Sequence, residues 1–338
     1  MNLTERIEWA GRLGAYMQSE EPDWLRTRQR AQDSNPWFIP AFIQQAVDHL
    51  CESFLDPEKL TAWADLESIP PTQAAPQTVG LVMAGNLPLV GFQDWLCTWM
   101  VGHHARIKLS GQDSLLFEHL AQQLVRWEPR LTPYLQLAER LTGSDAFIAT
   151  GSDNTARYFE YYFGRYPNLI RKNRTSVAVL TGNETTEELE GLCADMYTYF
   201  GRGCRNVTHL LVPRGYEFVP LLQAGKSFEF LSEQHKFKNN YDYQLAICIL
   251  NKEYYMTNGI YLFVERPGLH APIGVVHYQY YDRPQEAEQW LQQQADQIQC
   301  RVSRTGGIPF GATQYPSLTD YADGVNPVKF LLSLEPAR

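Results

Sequence analysis

The sequence lacks any paired cysteines of the C-x-x-C kind: its six (Cys51, Cys97, Cys193, Cys204, Cys248 and Cys300) are scattered over 338 residues. That spacing speaks against a zinc site and a disulfide framework and fits a reducing compartment, the cytoplasm. No run approaches the roughly 18 apolar residues of a membrane-crossing helix. The opening "MNLTERIEWAGRLGAYMQSEEPDW" has no basic segment followed by an apolar one, so neither a signal peptide nor a membrane span is expected. There is no G-x-G-x-x-G after the first strand-like run, no G-x-x-x-x-G-K-[ST] and no H-E-x-x-H. The usual dinucleotide fingerprint, the P-loop and the zincin motif are thereby removed. Basic residues are outnumbered, 29 against 38, for a net charge of −9. Such a balance argues against a nucleic-acid-coating surface, and any anionic ligand needs a local pocket of positive charge. Internal repeats and low-complexity tracts are also missing.

What is present suits a soluble globular protein: 44% hydrophobic and 20% charged residues, on a chain long enough for two lobes. The aromatic share of 13% includes 19 tyrosines, a residue at home on sheet and interface edges. Residues 1 to about 68 read as helices; "PAFIQQAVDHLCESFL" repeats its apolar positions close to the 3.6-residue period. The proline-rich "DLESIPPTQAAPQ" reads as a linker. Strand, helix, strand, helix, strand then follow in "TVGLVMAG", "LPLVGFQDWLCTWMVG", "ARIKLSG", "SLLFEHLAQQLVRW" and "DAFIATG", the alternation of a parallel sheet with crossover helices. The polar turns "AGN", "KLSG" and "TGSDN" leave three strands at their carboxyl ends, where such sheets bind ligands.

A second α/β set is expected beyond a boundary near residue 180. "TSVAVL", "VTHLLVP", "DYQLAICILN", "IYLFVER", "IGVVHYQYY" and "CRVSRTGG" read as strands, and "TTEELEGLCADMYTYFG" and "RPQEAEQWLQQQADQI" as helices. In "YFGRGCRNVTHLLVP", Cys204 stands between glycines and beside Arg202 and Arg205. Those cations favour thiolate and the glycines leave room for a substrate, yet a packing thiol fits the same fifteen residues. His209 reads as a strand-face residue rather than a general base. The adjacent His103 and His104 point different ways and do not suggest a metal site.

The order of motifs resembles the aldehyde dehydrogenase superfamily, and within it the bacterial acyl-CoA reductases, the fatty-acid reductases of bioluminescence systems and their relatives. "VMAGNLPLVGF" is similar to that superfamily's W-N-x-P turn, with Asn86 and Pro88. "IKLSGQDS" resembles its K-P-S/A turn, with Lys108 and Ser110. "IATGSDNTARYF" resembles F-T-G-S-x-x-x-G, with Thr150, Gly151 and Ser152. "YTYFGRGCRNVTHLLVP" resembles F-x-x-x-G-Q-x-C, with Gly201, Gly203 and Cys204. The likeness covers about residues 75 to 320; "APIGVV" and the ending "PFGATQYPSLTDYADGVNPVKFL" carry it toward the reductase branch.

The resemblance implies an aldehyde-dehydrogenase-like α/β fold of two lobes with a cleft between them. A helical segment (1–70) would pack on a cofactor lobe (71–180), followed by a catalytic lobe (181–338). It implies a reductase that makes an aldehyde from acyl-CoA or an acyl-carrier protein. Cys204 would be the nucleophile, and the Asn86 amide and the Cys204 N–H would stabilise the oxyanion. Lys108 and Ser110 would meet the adenosine ribose or its phosphate, and Thr150, Gly151 and Ser152 would lie near the pyrophosphate. Lys108 and Arg106, two apart on one strand face, favour NADPH over NADH. The oxidising members keep a glutamate in an E-L-G-G-K segment; the matching stretch here, "LIRKNRTSVAVL", is basic and acid-free, which suits reduction of the acyl intermediate rather than hydrolysis. The E-x-F-G-P acid has no clear match, and Glu265 is near but out of register. Little chain precedes "TVGLVMAG" for an oligomerisation hairpin, so a homo-oligomer stays an open expectation. The aromatic "FEYYFGRYPN" suits an acyl tunnel or a surface helix equally. Two other readings remain: a thioester acyltransferase or hydrolase working through Cys204 without hydride, and a non-catalytic scaffold of the same fold.

Overall fold

Asn2 and Glu5 open the first helix by a reciprocal cap: the Asn2 side chain accepts from Glu5 N (2.9 Å), and the Glu5 carboxylate accepts from Asn2 N (2.8 Å). This helix is α1 (Leu3–Met17), followed by α2 (Pro22–Ser34), α3 (Pro40–His49) and α4 (Pro57–Leu66). Proline in the first turn of the last three sets φ where no helical N–H is needed. The structure, a computed structural model, describes residues 1–151 and 153–335. Among these, no helix is long and apolar enough to cross a membrane.

The chain divides into two compact units, residues 1–173 with 316–338, and residues 174–315. In the first unit the helices lead into β1 (Thr78–Val82), α5 (Phe92–Val101), β2 (His104–Lys108), α6 (Leu115–Trp127), β3 (Gln136–Leu137), β4 (Ala146–Thr150), α7 (Asp153–Phe163) and β5 (Asn168–Arg171). The strands form one sheet in the order β3-β2-β1-β4-β5, every neighbour parallel. β1 and β4 are apolar almost throughout because helices cover both faces of such a sheet.

The second unit holds β6 (Thr175–Val179), α8 (Thr186–Tyr197), β7 (Val207–Pro213), α9 (Val219–Ala224), α10 (His235–Leu250), β8 (Tyr255–Thr257), β9 (Leu262–Glu265), β10 (Val275–Tyr281), α11 (Pro284–Gln293) and β11 (Ile298–Val302). Its sheet runs β11-β6-β7-β10-β9-β8, parallel except for β8 at the edge. A closing helix, α12 (Pro327–Leu332), belongs to the first unit.

Three features differ from what the sequence leads one to expect. "DYQLAICILN" is the second half of α10 rather than a strand; Phe237, Tyr241 and Cys248 are buried at helical spacing. The division falls after Asn173, not near 180, since β6 pairs with β7 and β11 of the second sheet. Residues 316–338 return to the first unit instead of ending the second. There the fully buried His103 fastens them, accepting from Gln77 N at Nδ1 (3.0 Å) and donating from Nε2 to Leu331 O (3.0 Å). His103 is thus a structural clip, and among the described residues no group of three or more His, Cys, Asp or Glu could hold a metal.

Candidate active site

In the first unit the register sets Val82 beside Lys108 on one side and Ala149 on the other, and Met83 N donates to Lys108 O (3.0 Å). The turns after β1, β2 and β4 therefore leave one edge of the sheet together, carrying Asn86, then Lys108 and Ser110, then Thr150 and Gly151. Lys108 is exposed; Asn86, Ser110, Thr150 and Gly151 are half-buried. Ser152 lies outside the described residues. Gly85 lets the β1 turn lie against the β2 turn, where an added Cβ would sit 2.5 Å from Ser110 Oγ. Leu89 takes a left-handed φ of 56° and donates its N–H to Asp113 Oδ2 (2.6 Å). Burial of Asp113 lifts its carboxyl to about 7, against the lowering effect of the Leu89 hydrogen bond. No motif in the sequence singles out Asp113, the anchor of the Asn86 turn.

Arg106 does not join Lys108 at this edge. Its guanidinium donates to the Thr142 carbonyl in the turn leading into β4, the amino edge of the sheet. The tunnel reading of "FEYYFGRYPN" also gives way: its Tyr161 and Tyr162, on α7, are 82% and 62% exposed. The acid-free stretch is held by pairing of its own. Arg171 Nη1 meets both oxygens of Asp94 at 2.6 Å, Lys172 pairs with Glu160 (3.0 Å), and Arg174 reaches Ile298 O (3.3 Å).

In the second unit Cys204 lies ahead of β7, in the turn Gly203–Asn206 closed by Asn206 N donating to Gly203 O (3.1 Å). Tyr199, Phe200 and Gly201 lead into it with φ of 53°, 60° and 69°, three left-handed residues in succession. The first two cost about 1–2 kcal/mol each and are held because Phe200 is fully buried against Phe237. At Gly201 a Cβ would lie 2.9 Å from Tyr261 Oη and 3.2 Å from Met196 O, so only glycine fits.

The fully buried Asn206 side chain ties this turn to the end of α8. Oδ1 accepts from Gly203 N (2.8 Å), and Nδ2 donates to the carbonyls of Asp195 (3.0 Å) and Thr198 (2.9 Å), with Met196 O at 3.4 Å. Ser176 Oγ on β6 donates to Cys204 O (3.0 Å) and accepts from Cys300 N (3.1 Å). Arg205 is occupied, with Nε on Thr313 O (2.6 Å); Thr313 in turn donates its N–H and hydroxyl to the buried Asp195 carboxylate (2.9 and 2.8 Å). Arg205 is therefore a brace for the turn. Arg202 is half-buried, and burial pushes its guanidinium down to about 10, still cationic at neutral pH.

Of the six cysteines Cys204 alone is not buried. Burial pushes the thiols of Cys51 and Cys193 up to about 12 and lifts that of Cys97 well above its ordinary value, so those three are neutral fillers. His209 is a strand residue, its ring against Trp290 at 4.7 Å and Nδ1 on Gly268 O (3.1 Å); burial takes it down to about 4. Glu265 ends β9, exposed and paired in register with Tyr278, two strands from β7. Asn206 is hard to recognise in the sequence, where the only sign is a turn-forming asparagine two residues after the cysteine.

No protein-family model matches the chain, and neither does any curated protein. Solved structures do. Aldehyde dehydrogenase 21 from Physcomitrella patens, in complex with the reaction product succinate, gives a TM-score of 0.70 at 12% identity, over 98% of this chain and 84% of that one. The NAD+ complex of an aldehyde dehydrogenase from Bacillus cereus gives 0.63 at 13% identity, over 91% and 73%. An NAD-dependent aldehyde dehydrogenase from Sinorhizobium meliloti gives 0.66 at 12%, over 93% and 72%. At such identities the likeness is one of architecture: the chain has the aldehyde-dehydrogenase fold.

Proposed function

We propose that the protein is a nicotinamide-dependent oxidoreductase that reduces an acyl thioester, carried by CoA or an acyl-carrier protein, to an aldehyde through a thioester on Cys204. The observation that carries this reading is that one cysteine of six is kept out of the core, in a turn whose peptide groups are individually tied. The fold is that of proteins whose structures include an NAD+ complex.

The carboxyl edge of the first sheet fits a dinucleotide by its donor set. An exposed ammonium (Lys108) and two hydroxyls (Ser110, Thr150) share it, and Gly111 faces open space, with nothing within 4 Å of an added Cβ. Lys108 and Ser110 would hold the adenosine ribose or its phosphate, and Thr150 and Gly151 the pyrophosphate. NADPH remains the first choice, resting on Lys108 alone now that Arg106 is committed to Thr142. When bound, the cofactor supplies a hydride to the acyl carbon.

In the first step the Cys204 thiolate adds to the thioester carbonyl. Its own N–H would stabilise the oxyanion, a part the resemblance gives to the Asn86 amide as well, one such donor contributing about 2.7–4 kcal/mol. Collapse expels the carrier thiolate and leaves the acyl group on Cys204. Hydride added to the acyl carbon would leave a thiohemiacetal oxyanion on Cys204; its electron pair reforms the C=O bond as the C–S bond breaks, releasing aldehyde and regenerating the thiolate. The stretch 168–174 holds no carboxylate to activate water, so the acyl adduct waits for hydride.

An absorbance assay at the reduced-nicotinamide band, with a panel of acyl-CoAs, tests the reading. It should show NADPH consumed in step with aldehyde formed. If an acyl group appears on Cys204 while no reduced nicotinamide is consumed at millimolar levels, the protein is an acyltransferase or hydrolase instead.

A further inference from the structure

The two peptide planes flanking Cys204 are fixed by two buried residues that no part of the proposed chemistry uses, one through its backbone N–H and the other through its hydroxyl. The Gly203–Cys204 peptide presents its carbonyl to Asn206 N (3.1 Å). Because a trans peptide sets its N–H opposite its C=O, that bond fixes where the Cys204 N–H points. Asn206 holds its own backbone in place by gripping Gly203 N with Oδ1 and the carbonyls at the end of α8 with Nδ2. The Cys204–Arg205 peptide presents its carbonyl to Ser176 Oγ (3.0 Å), a fully buried hydroxyl that also receives Cys300 N (3.1 Å) from β11. One tether runs to α8 and the other to β6, beside the edge strand β11.

We propose that Asn206 and Ser176 are positioning residues for Cys204 rather than mere stabilisers of the fold: Asn206 fixes the direction of its backbone N–H as an oxyanion donor, and Ser176 fixes the peptide that follows, so that the residue is held on both sides. The inference rests on the proposed role of Cys204. An oxyanion donor is worth most when it is aimed beforehand and needs no reorganisation during reaction. Asn206 supplies that aim through the planarity of the Gly203–Cys204 peptide and Ser176 stops the residue turning about its other end, with no contact between either side chain and the reacting atoms required.

Ser176→Ala and Asn206→Ala would be compared with the wild type in three measurements: single-turnover acylation by an acyl-CoA, followed by intact-protein mass spectrometry; alkylation of the same thiol by iodoacetamide across pH; and amide hydrogen exchange at Gly203 and Cys204. Alkylation forms no oxyanion, so it reads thiol access and ionisation alone. In Ser176→Ala the acylation rate constant should fall by about 10- to 100-fold, with the half-saturating acyl-CoA concentration and the plateau alkylation rate within about two-fold. Ser176→Thr, which restores a hydroxyl, should recover most of the loss. Gly203 exchange should be slow in the wild type and released in Asn206→Ala. Acylation unchanged in a folded Ser176→Ala, or falling only in step with alkylation, overturns the proposal. Absence of acylation in the wild type defeats the functional reading instead; Gly203 exchange then decides the positioning, and unchanged exchange in Asn206→Ala sinks it.

Discussion

The turn after β1 carries Asn86 and the turn before β7 carries Cys204, the two residues the proposed mechanism uses, yet they are held in different ways. The Asn86 turn follows its strand and leans on its neighbours through one buried acid, Asp113, and a close glycine, Gly85. Lys108 and Ser110 beside it keep side chains that are exposed or half-buried. The Cys204 turn precedes its strand, enters through three left-handed residues, and is tied to the end of α8 through the Asn206 side chain, to β6 through Ser176 and to Thr313 through the Arg205 side chain. A surface that accepts a ligand can keep side chains that adapt. A backbone that must present one N–H in one direction cannot, and the hydrogen bonds are distributed accordingly.

The largest expected effect falls on the rigid turn. Cys204→Ala should abolish acyl transfer to the protein, seen as loss of the acyl mass increment; an alanine variant that still acylates breaks the comparison at its root. Asn206→Ala comes next. It strips the donor from buried carbonyls at the end of α8 and should lower stability by about 3 kcal/mol, read from denaturant unfolding. A cost under about 0.5 kcal/mol would mean the turn is no more fixed than its counterpart. On the adaptable edge, Lys108→Ala should leave the melting temperature alone and weaken NADPH about ten-fold, about 1.4 kcal/mol, and NADH much less, by fluorescence titration. Equal weakening of both would remove the preference for NADPH.

The smallest effect belongs to Asp113. Burial raises its carboxyl from 3.8 to about 7, so the folded chain holds a proton that the unfolded chain gives up. This acid favours the fold below about 4, and its contribution is lost as pH climbs to about 7. Asp113→Asn keeps an acceptor for Leu89 N–H without the charge. Melting at pH 8 should rise by about 2–4 °C while melting near pH 4 stays level with the wild type; a rise at both pH values would refute the titration.

Strand-end turns are readable because polar residues after short apolar runs say where a parallel sheet meets its ligand. "AGN", "KLSG" and "TGSDN" therefore mark one edge from their residues alone, whereas the glycines beside Cys204 fit a packing thiol as well, and only the order of the motifs singles it out. α10 is not: Ile247, Ile249 and Leu250 stand close together, imitating a strand, and the helix shows itself only through what Tyr241 and Cys248 bury. The return of residues 316–338 is equally hidden, since it depends on His103 meeting a carbonyl 228 positions away. Arg106 looks available for a phosphate for the same reason, because the Thr142 carbonyl that receives it is visible only in three dimensions. Asn206 and Ser176 escape notice because a buried polar side chain serving backbone groups leaves no periodic mark.

Left-handed backbone at Tyr199, Phe200 and Gly201 also bears on when the thiol acquires its setting. Two non-glycine residues in that region would abandon it in a free peptide, and only burial of Phe200 with Phe237 beside it keeps them there. Phe237 lies downstream, in a helix synthesised after the cysteine has emerged. A growing chain thus carries Cys204 as an ordinary residue, and its surroundings take shape only when the later helix docks. Assembly of the proposed nucleophile becomes a late event in the life of the molecule.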